Sequence, residues 1–191
     1  MNIQQDEELH ALRKELEQIT DHSCAIGLEA TDRCLWFDNQ PAKIAKLAEK
    51  YPHGIRLHIA STVIQQPLDH QNCFMYALNI QANSVKRKTS DEIFPGAEFV
   101  RSLLVTAFKS KEISPSNSVD GDTVIYFDTA GKPTHAGTCH NSKVISKWGG
   151  YGNHVWEHGV FEVPDSYGSE ISVFTPLSHG EALQAYLEWA S

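Results

Sequence analysis

Hydrophobic and polar positions divide the chain into two parts with different periods. Near the N-terminus, Leu9, Leu12, Leu16 and Ile19 recur at steps of three and four. This spacing predicts a helix with one narrow apolar stripe and a charged remainder, suited to packing on the domain or to self-association. Ile44, Leu47, Ala48 and Tyr51 form the inner face of a second expected helix. It runs from Pro41 to Tyr51, after Asn39 and before Pro52-His53-Gly54, and proline in a first turn is preorganised for it. Residues 55–64 alternate as a strand. A loop leads to Asn72, and a short apolar helix opens at Cys73. Residues 82–97 are polar with a late Pro95-Gly96 and read as a surface loop. Phe99, Val100, Leu103, Leu104, Ala107 and Phe108 describe an amphipathic helix, stopped at Pro115-Ser116-Asn117-Ser118.

From Asp120 the period becomes two. Thr123-Val124-Ile125-Tyr126-Phe127 is the strongest strand signal in the chain. A connection over 128–133 leads to a second strand at 134–140. Asn141-Ser142 reads as a two-residue turn before a third strand at 143–148. A glycine-rich stretch at 149–152 precedes expected strands at 158–163 and 171–175, and a C-terminal helix at 180–190. Helices first and an antiparallel sheet afterwards predict an α+β fold.

At 191 residues the chain suits one domain, and its 41% hydrophobic and 21% charged composition is ordinary for a globular protein. No apolar run approaches the roughly 18 residues of a membrane span. The acidic start, Met1 to Glu8, lacks the apolar core of a secretory signal. A cytoplasmic location is therefore expected, with export by a dedicated secretion system left open. A net charge of -8 argues against nucleic acid as a partner. Lys86-Arg87-Lys88 is a basic cluster among polar neighbours and reads as a solvated loop.

The four cysteines, Cys24, Cys34, Cys73 and Cys139, form no C-x-x-C pair. In a reducing compartment each is filler, a metal ligand or a nucleophile. Cys24 and Cys34 have apolar neighbours and read as core filler. Cys73 differs, because Asn72 can cap the helix that the thiol opens, and a helix N-terminus favours a thiolate. About sixty residues later, Pro133-Thr134-His135-Ala136-Gly137 lies on a strand. Alternation puts His135, Gly137 and Cys139 on one face, and the turn at 141–142 adds Ser146 and Trp148 to it. If that face meets the cysteine helix, His135 can take the thiol proton and return it to a leaving group.

The pattern resembles the NlpC-like branch of the papain-fold cysteine peptidases. The matching pieces are Asn72-Cys73-x-x-Tyr76-Ala77-Leu78, then Gly121-Asp122-Thr123-Val124-Ile125-Tyr126-Phe127, then Thr134-His135-Ala136-Gly137, and a strand with Ser146-Lys147-Trp148-Gly149. The resemblance covers roughly 69–175, with 1–68 as an N-terminal extension and 176–191 as a C-terminal helix. It implies a papain-like domain whose helix-borne cysteine packs on an antiparallel sheet. It also implies a bacterial thiol hydrolase of a peptide or peptidoglycan stem peptide, with Cys73 as nucleophile, His135 as base and no cofactor. The third, orienting residue usually lies on the next strand, where this chain has Ser146 or Lys147 instead of His, Asn or Gln. His154 and His158 follow one loop later, and His158 is the favoured candidate.

Two other expectations stand beside this one. A papain-like fold without the standard third residue can serve as a binding domain. Cys139, His140, His154 and His158 can supply zinc ligands, although Cys139 and His140 point to opposite strand faces. No Gly-x-Ser-x-Gly elbow is present, and the glycines at 149–152 lack the Lys-Ser/Thr of a phosphate loop.

Overall fold

The computed structural model describes residues 3–21, 36, 38–59, 71–81, 84, 85, 87, 88, 91–148 and 154–191. The expectations for Cys24, Cys34, Lys86, the strand residues 60–64 and the glycines at 149–152 lie outside these residues.

The elements are, in chain order, α1 (Ile3–Thr20), α2 (Gln40–Leu47), β1 (Arg56–Ile59), α3 (Cys73–Ala77), β2 (Arg87–Lys88), β3 (Asp91–Glu92), α4 (Ala97–Val105), β4 (Glu112–Ile113), β5 (Thr123–Phe127), β6 (Pro133–His140), β7 (Lys143–Lys147), β8 (Val155–His158), β9 (Glu170–Phe174) and α5 (His179–Trp189). Seven strands form one antiparallel sheet in the order β1-β8-β7-β6-β5-β9-β4. The fold is mixed α+β. Among the described residues no helix is long and apolar enough to cross a membrane.

The central hairpin forms as its sequence dictates. Asn141 and Ser142 adopt φ of 48° and 62°, the two positive values that a tight two-residue turn needs. His140 then faces Lys143, Cys139 faces Val144 and Thr138 faces Ile145. On its other side β6 pairs with β5, placing Tyr126 opposite His135, Ile125 opposite Ala136 and Val124 opposite Gly137. Phe127 then meets Pro133, so Thr134 is an extra residue that makes a bulge next to His135. Gly137 is required where it stands. A Cβ there would lie 2.5 Å from the Val144 side chain and 2.8 Å from the Ile145 carbonyl oxygen.

Two apolar cores cover the two faces of this sheet. On one face, Leu12 and Leu16 of α1 and Ile44 and Leu47 of α2 pack on Val124, Tyr126, Val144, Trp148 and Trp156. The apolar stripe of α1 is thus spent within the domain. On the other face, Phe74 and Met75 of α3, Phe99 and Leu103 of α4 and Tyr186 of α5 pack on Ile125, Ala136 and Phe174. Phe99 and Tyr186 meet edge to face, with ring centroids 5.8 Å apart. The last helix is set by a capping box between Ser178 and Glu181.

Arg13 fastens α1 to the sheet. Its buried guanidinium donates to the carbonyl oxygens of Gly168 at 2.6 Å and Asp165 at 3.2 Å. Gly168 has a φ of 92°, and any side chain there would overlap the Phe127 carbonyl.

Several expected elements differ. The strand expected at 158–163 is β8, at 155–158. The chain turns after it because the Glu162 carboxylate accepts the Gly159 N–H at 2.7 Å and the Gly54 N–H at 2.8 Å. The polar loop at 82–97 contains the β2–β3 pair. The two-residue strand β4, too short to leave a pattern, closes the sheet edge against β9.

Candidate functional site

Cys73 is positioned by hydrogen bonds at both ends of a five-residue helix. The Asn72 side chain accepts the Met75 N–H at 2.9 Å, while its amide donates to the Pro95 carbonyl at 2.7 Å. The buried Gln71 donates to the Ile80 carbonyl at 3.0 Å. At the far end, Asn79 takes a φ of 53°, and the Ile80 N–H reaches back to the Met75 carbonyl at 2.9 Å. That is a Schellman stop, and it drives Ile80 into the core.

The helix lies against β6 and β7. Burial pushes the Cys73 thiol up to about 11. A backbone hydrogen bond from Ala136 and the positive charge of Lys147 pull the other way, and burial wins. Lys147 is itself fully buried. Continuing the β6–β7 register by two residues sets Lys147 opposite Ala136, on the face that α3 covers.

His135 is on the other face. Its register partner Tyr126 belongs to the core under α1. The imidazole is fully buried and stacks on Tyr167, centroids 3.9 Å apart at 18°. Among the described residues neither ring nitrogen has a hydrogen-bond partner. Burial, reinforced by the neighbouring His158, holds its pKa well below the ordinary histidine value. The expected pairing of Cys73 with His135 is therefore not formed. Alternation along β6 places His135, Gly137 and Cys139 together, as the sequence implies. The cysteine helix covers the opposite face.

The candidates for third residue accompany His135, not Cys73. His158 and Ser146 are both fully buried, with His158 Nε2 2.8 Å from Ser146 Oγ. His158 Nδ1 is 2.8 Å from the Gly159 carbonyl, which can only accept, so Nδ1 carries the proton. Nε2 then accepts from the Ser146 hydroxyl, whose oxygen accepts the Trp148 indole N–H at 3.0 Å. Every bond in this relay is made by a neutral imidazole, and burial lowers the His158 pKa to about 4. His154 is buried on the same face, edge-on to Trp156. Ser146, His154 and His158 thus form a structural polar core beneath α1.

Cys139 is half-buried on the face of His135, and His140 points to the other face. Among the described residues no group of three or more His, Cys, Asp or Glu side chains is placed to hold a metal ion. Cys139 instead lines a cavity of about 500 Å³ with Val124, Val144, Val173, Ser118 and Asp120.

Sequence reasoning placed Lys147 only as an unusual residue at the aligned third position. The available signal was alternation. Val144, Ser146 and Trp148 share one face, which leaves Ile145 and Lys147 on the other, so a lysine in a central strand had to be buried.

No family model, no curated protein and no solved structure matches this chain.

Proposed function

We propose that this chain is a thiol hydrolase of papain-like, NlpC-like type. It cleaves an amide bond in a peptide, with peptidoglycan stem peptides among the candidate substrates, through an acyl-enzyme on Cys73. The observation that carries this reading is the surroundings of the sulfur. Burial holds the thiol up at about 11, and against it a backbone hydrogen bond from Ala136 and the charge of Lys147 both favour the thiolate, on a helix anchored by Asn72 and Gln71. The order of a helix-borne cysteine, a Gly121-Asp122 strand and a hairpin supports the papain-like assignment. In this reading the sulfur attacks the carbonyl carbon, the amine leaves, and water releases the acid. His135 is not the base, because it lies across the sheet. The test is incubation with mixed peptide amides and stem peptides, read by mass spectrometry. The wild-type protein cleaves and Cys73→Ala does not; full cleavage by Cys73→Ala ends this reading.

A second reading is a papain-like domain that binds without cleaving. It is favoured by the thiol being held up at about 11 with the three buried imidazoles on the opposite face. On this reading peptides bind intact, and Cys73 stays inert to iodoacetamide below about pH 9.

A further inference from the structure

We propose that α1 is an acid-released strap: a proton taken up by His135 frees the turn at Asp165–Tyr167, and α1 with it, while the Cys73 side of the sheet stays folded. A chain of contacts couples the ring to the helix. Arg13 of α1 donates to the carbonyls of Asp165 and Gly168, and Glu17 accepts the Ser166 N–H at 2.9 Å. Tyr167, between those anchors, lays its ring on His135. Its carbonyl accepts the Thr134 hydroxyl at 2.6 Å. The turn thus touches α1 on one side and β6 on the other. What fastens α1 also rests on the imidazole.

That imidazole sits where a charge is not accommodated. It is at 0% exposure, and among the described residues no hydrogen bond reaches either nitrogen. The titratable groups that face it are Tyr126 of β5, with ring centroids 5.4 Å apart, Tyr167 of the turn and His158 of β8. α1 adds the Arg13 cation and the turn adds the Asp165 carboxylate, and these two pair with each other at 3.5 Å. The Glu17 carboxylate lies at the surface on the Ser166 N–H. Ser146 and Trp148 of β7 are neutral, and Lys147 is on the other face. A cation over the Tyr167 ring gains less than an unpaired buried charge costs. In water the same imidazole protonates near 6.5. Acid therefore favours the arrangement that wets the ring, which is reached when the turn lifts and takes α1 along. The release stops at the sheet. His158 keeps its bonds to Ser146 and to the Gly159 carbonyl, neither of which belongs to the strap. The buried histidines among the described residues, His135, His154 and His158, are all on the α1 face, so the core beneath α3, α4 and α5 has no such trigger. Release bares Val124, Tyr126, Trp148 and Trp156.

The experiment is hydrogen exchange of the wild-type protein and His135→Phe at pH 7, 6 and 5, with protection corrected for intrinsic exchange. This window lies above the titration of ordinary carboxylates. One extra proton on a ring that titrates near 6.5 when released raises the opening constant of α1 about 25-fold between pH 7 and pH 5. Protection of the Leu12 and Leu16 amides is expected to fall by that factor. At pH 5 these amides should exchange at least about tenfold faster than that of Leu103 in α4, which opens with the whole chain. His135→Phe takes up no proton at this position, so its α1 protection should change less than about threefold across the range. Unchanged α1 protection in the wild-type protein overturns the proposal, and so does a 25-fold fall in His135→Phe. Equal protection of α1 and α4 at pH 5 marks unfolding of the whole chain and also overturns it. That last comparison uses the wild-type protein alone and decides even where the variant does not fold.

Discussion

His135 stacks face to face on Tyr167, ring centroids 3.9 Å apart, on the side of the sheet away from Cys73. Among the described residues neither of its buried ring nitrogens has a partner, which costs free energy that a hydrocarbon ring of similar shape would not. His135→Phe is therefore expected to keep or raise the melting temperature, and to leave alkylation of Cys73 unchanged. Thermal unfolding and peptide-resolved labelling check both halves. A fall in Cys73 labelling would place the imidazole at the thiol after all.

The buried histidines make stability depend on pH. The folded pKa of His158 is about 4, and that of His135 is also lowered, against about 6.5 in the unfolded chain. A group whose folded pKa is depressed contributes its full stability above the unfolded value and loses it as pH falls toward the folded one. Stability is expected to be level just above pH 7 and to decline between about 6.5 and 4, with His158 alone accounting for about 2 kcal/mol at pH 5. Urea unfolding at stepped pH measures this. His158→Gln should flatten the decline, and an unchanged slope would remove His158 as its source.

Arg13 ties α1 over the histidine face through the carbonyls of Gly168 and Asp165. Its ion pair with Asp165, at 3.5 Å, contributes less because that carboxylate is about half exposed. Arg13→Met should lower unfolding stability by about 2 kcal/mol, whereas Asp165→Asn should change it by less than about 0.5 kcal/mol. Equal losses in the two variants would show that the ion pair, not the carbonyl bonds, does the fastening.

Much of the central sheet was readable in the sequence because its chemistry is local. Asn141-Ser142 specifies a tight turn, and the turn sets the β6–β7 register and the company of His135 along β6. What alternation cannot specify is which layer covers which face. Thr123 to Tyr126 are all buried, so this sheet is apolar on both sides, and neither pattern marks the side of the cysteine helix. Leu12 and Leu16 settle the matter by bringing α1 onto the His135 face, a contact between residues more than a hundred positions apart. The shifted strand β8 has the same kind of cause. Its end is set by Glu162 reaching back to the amides of Gly159 and Gly54, which no periodicity encodes.

The central claim is that Cys73 is a nucleophile. It is tested most directly by trapping the acyl group. Intact-mass and peptide mapping after rapid mixing with p-nitrophenyl acetate, quenched in acid, should find an acetyl group on Cys73 that hydroxylamine removes. The adduct should be absent from Cys73→Ala and still formed by His135→Phe. An unmodified Cys73 in protein that turns the ester over, or acetylation that persists in Cys73→Ala, would contradict the account.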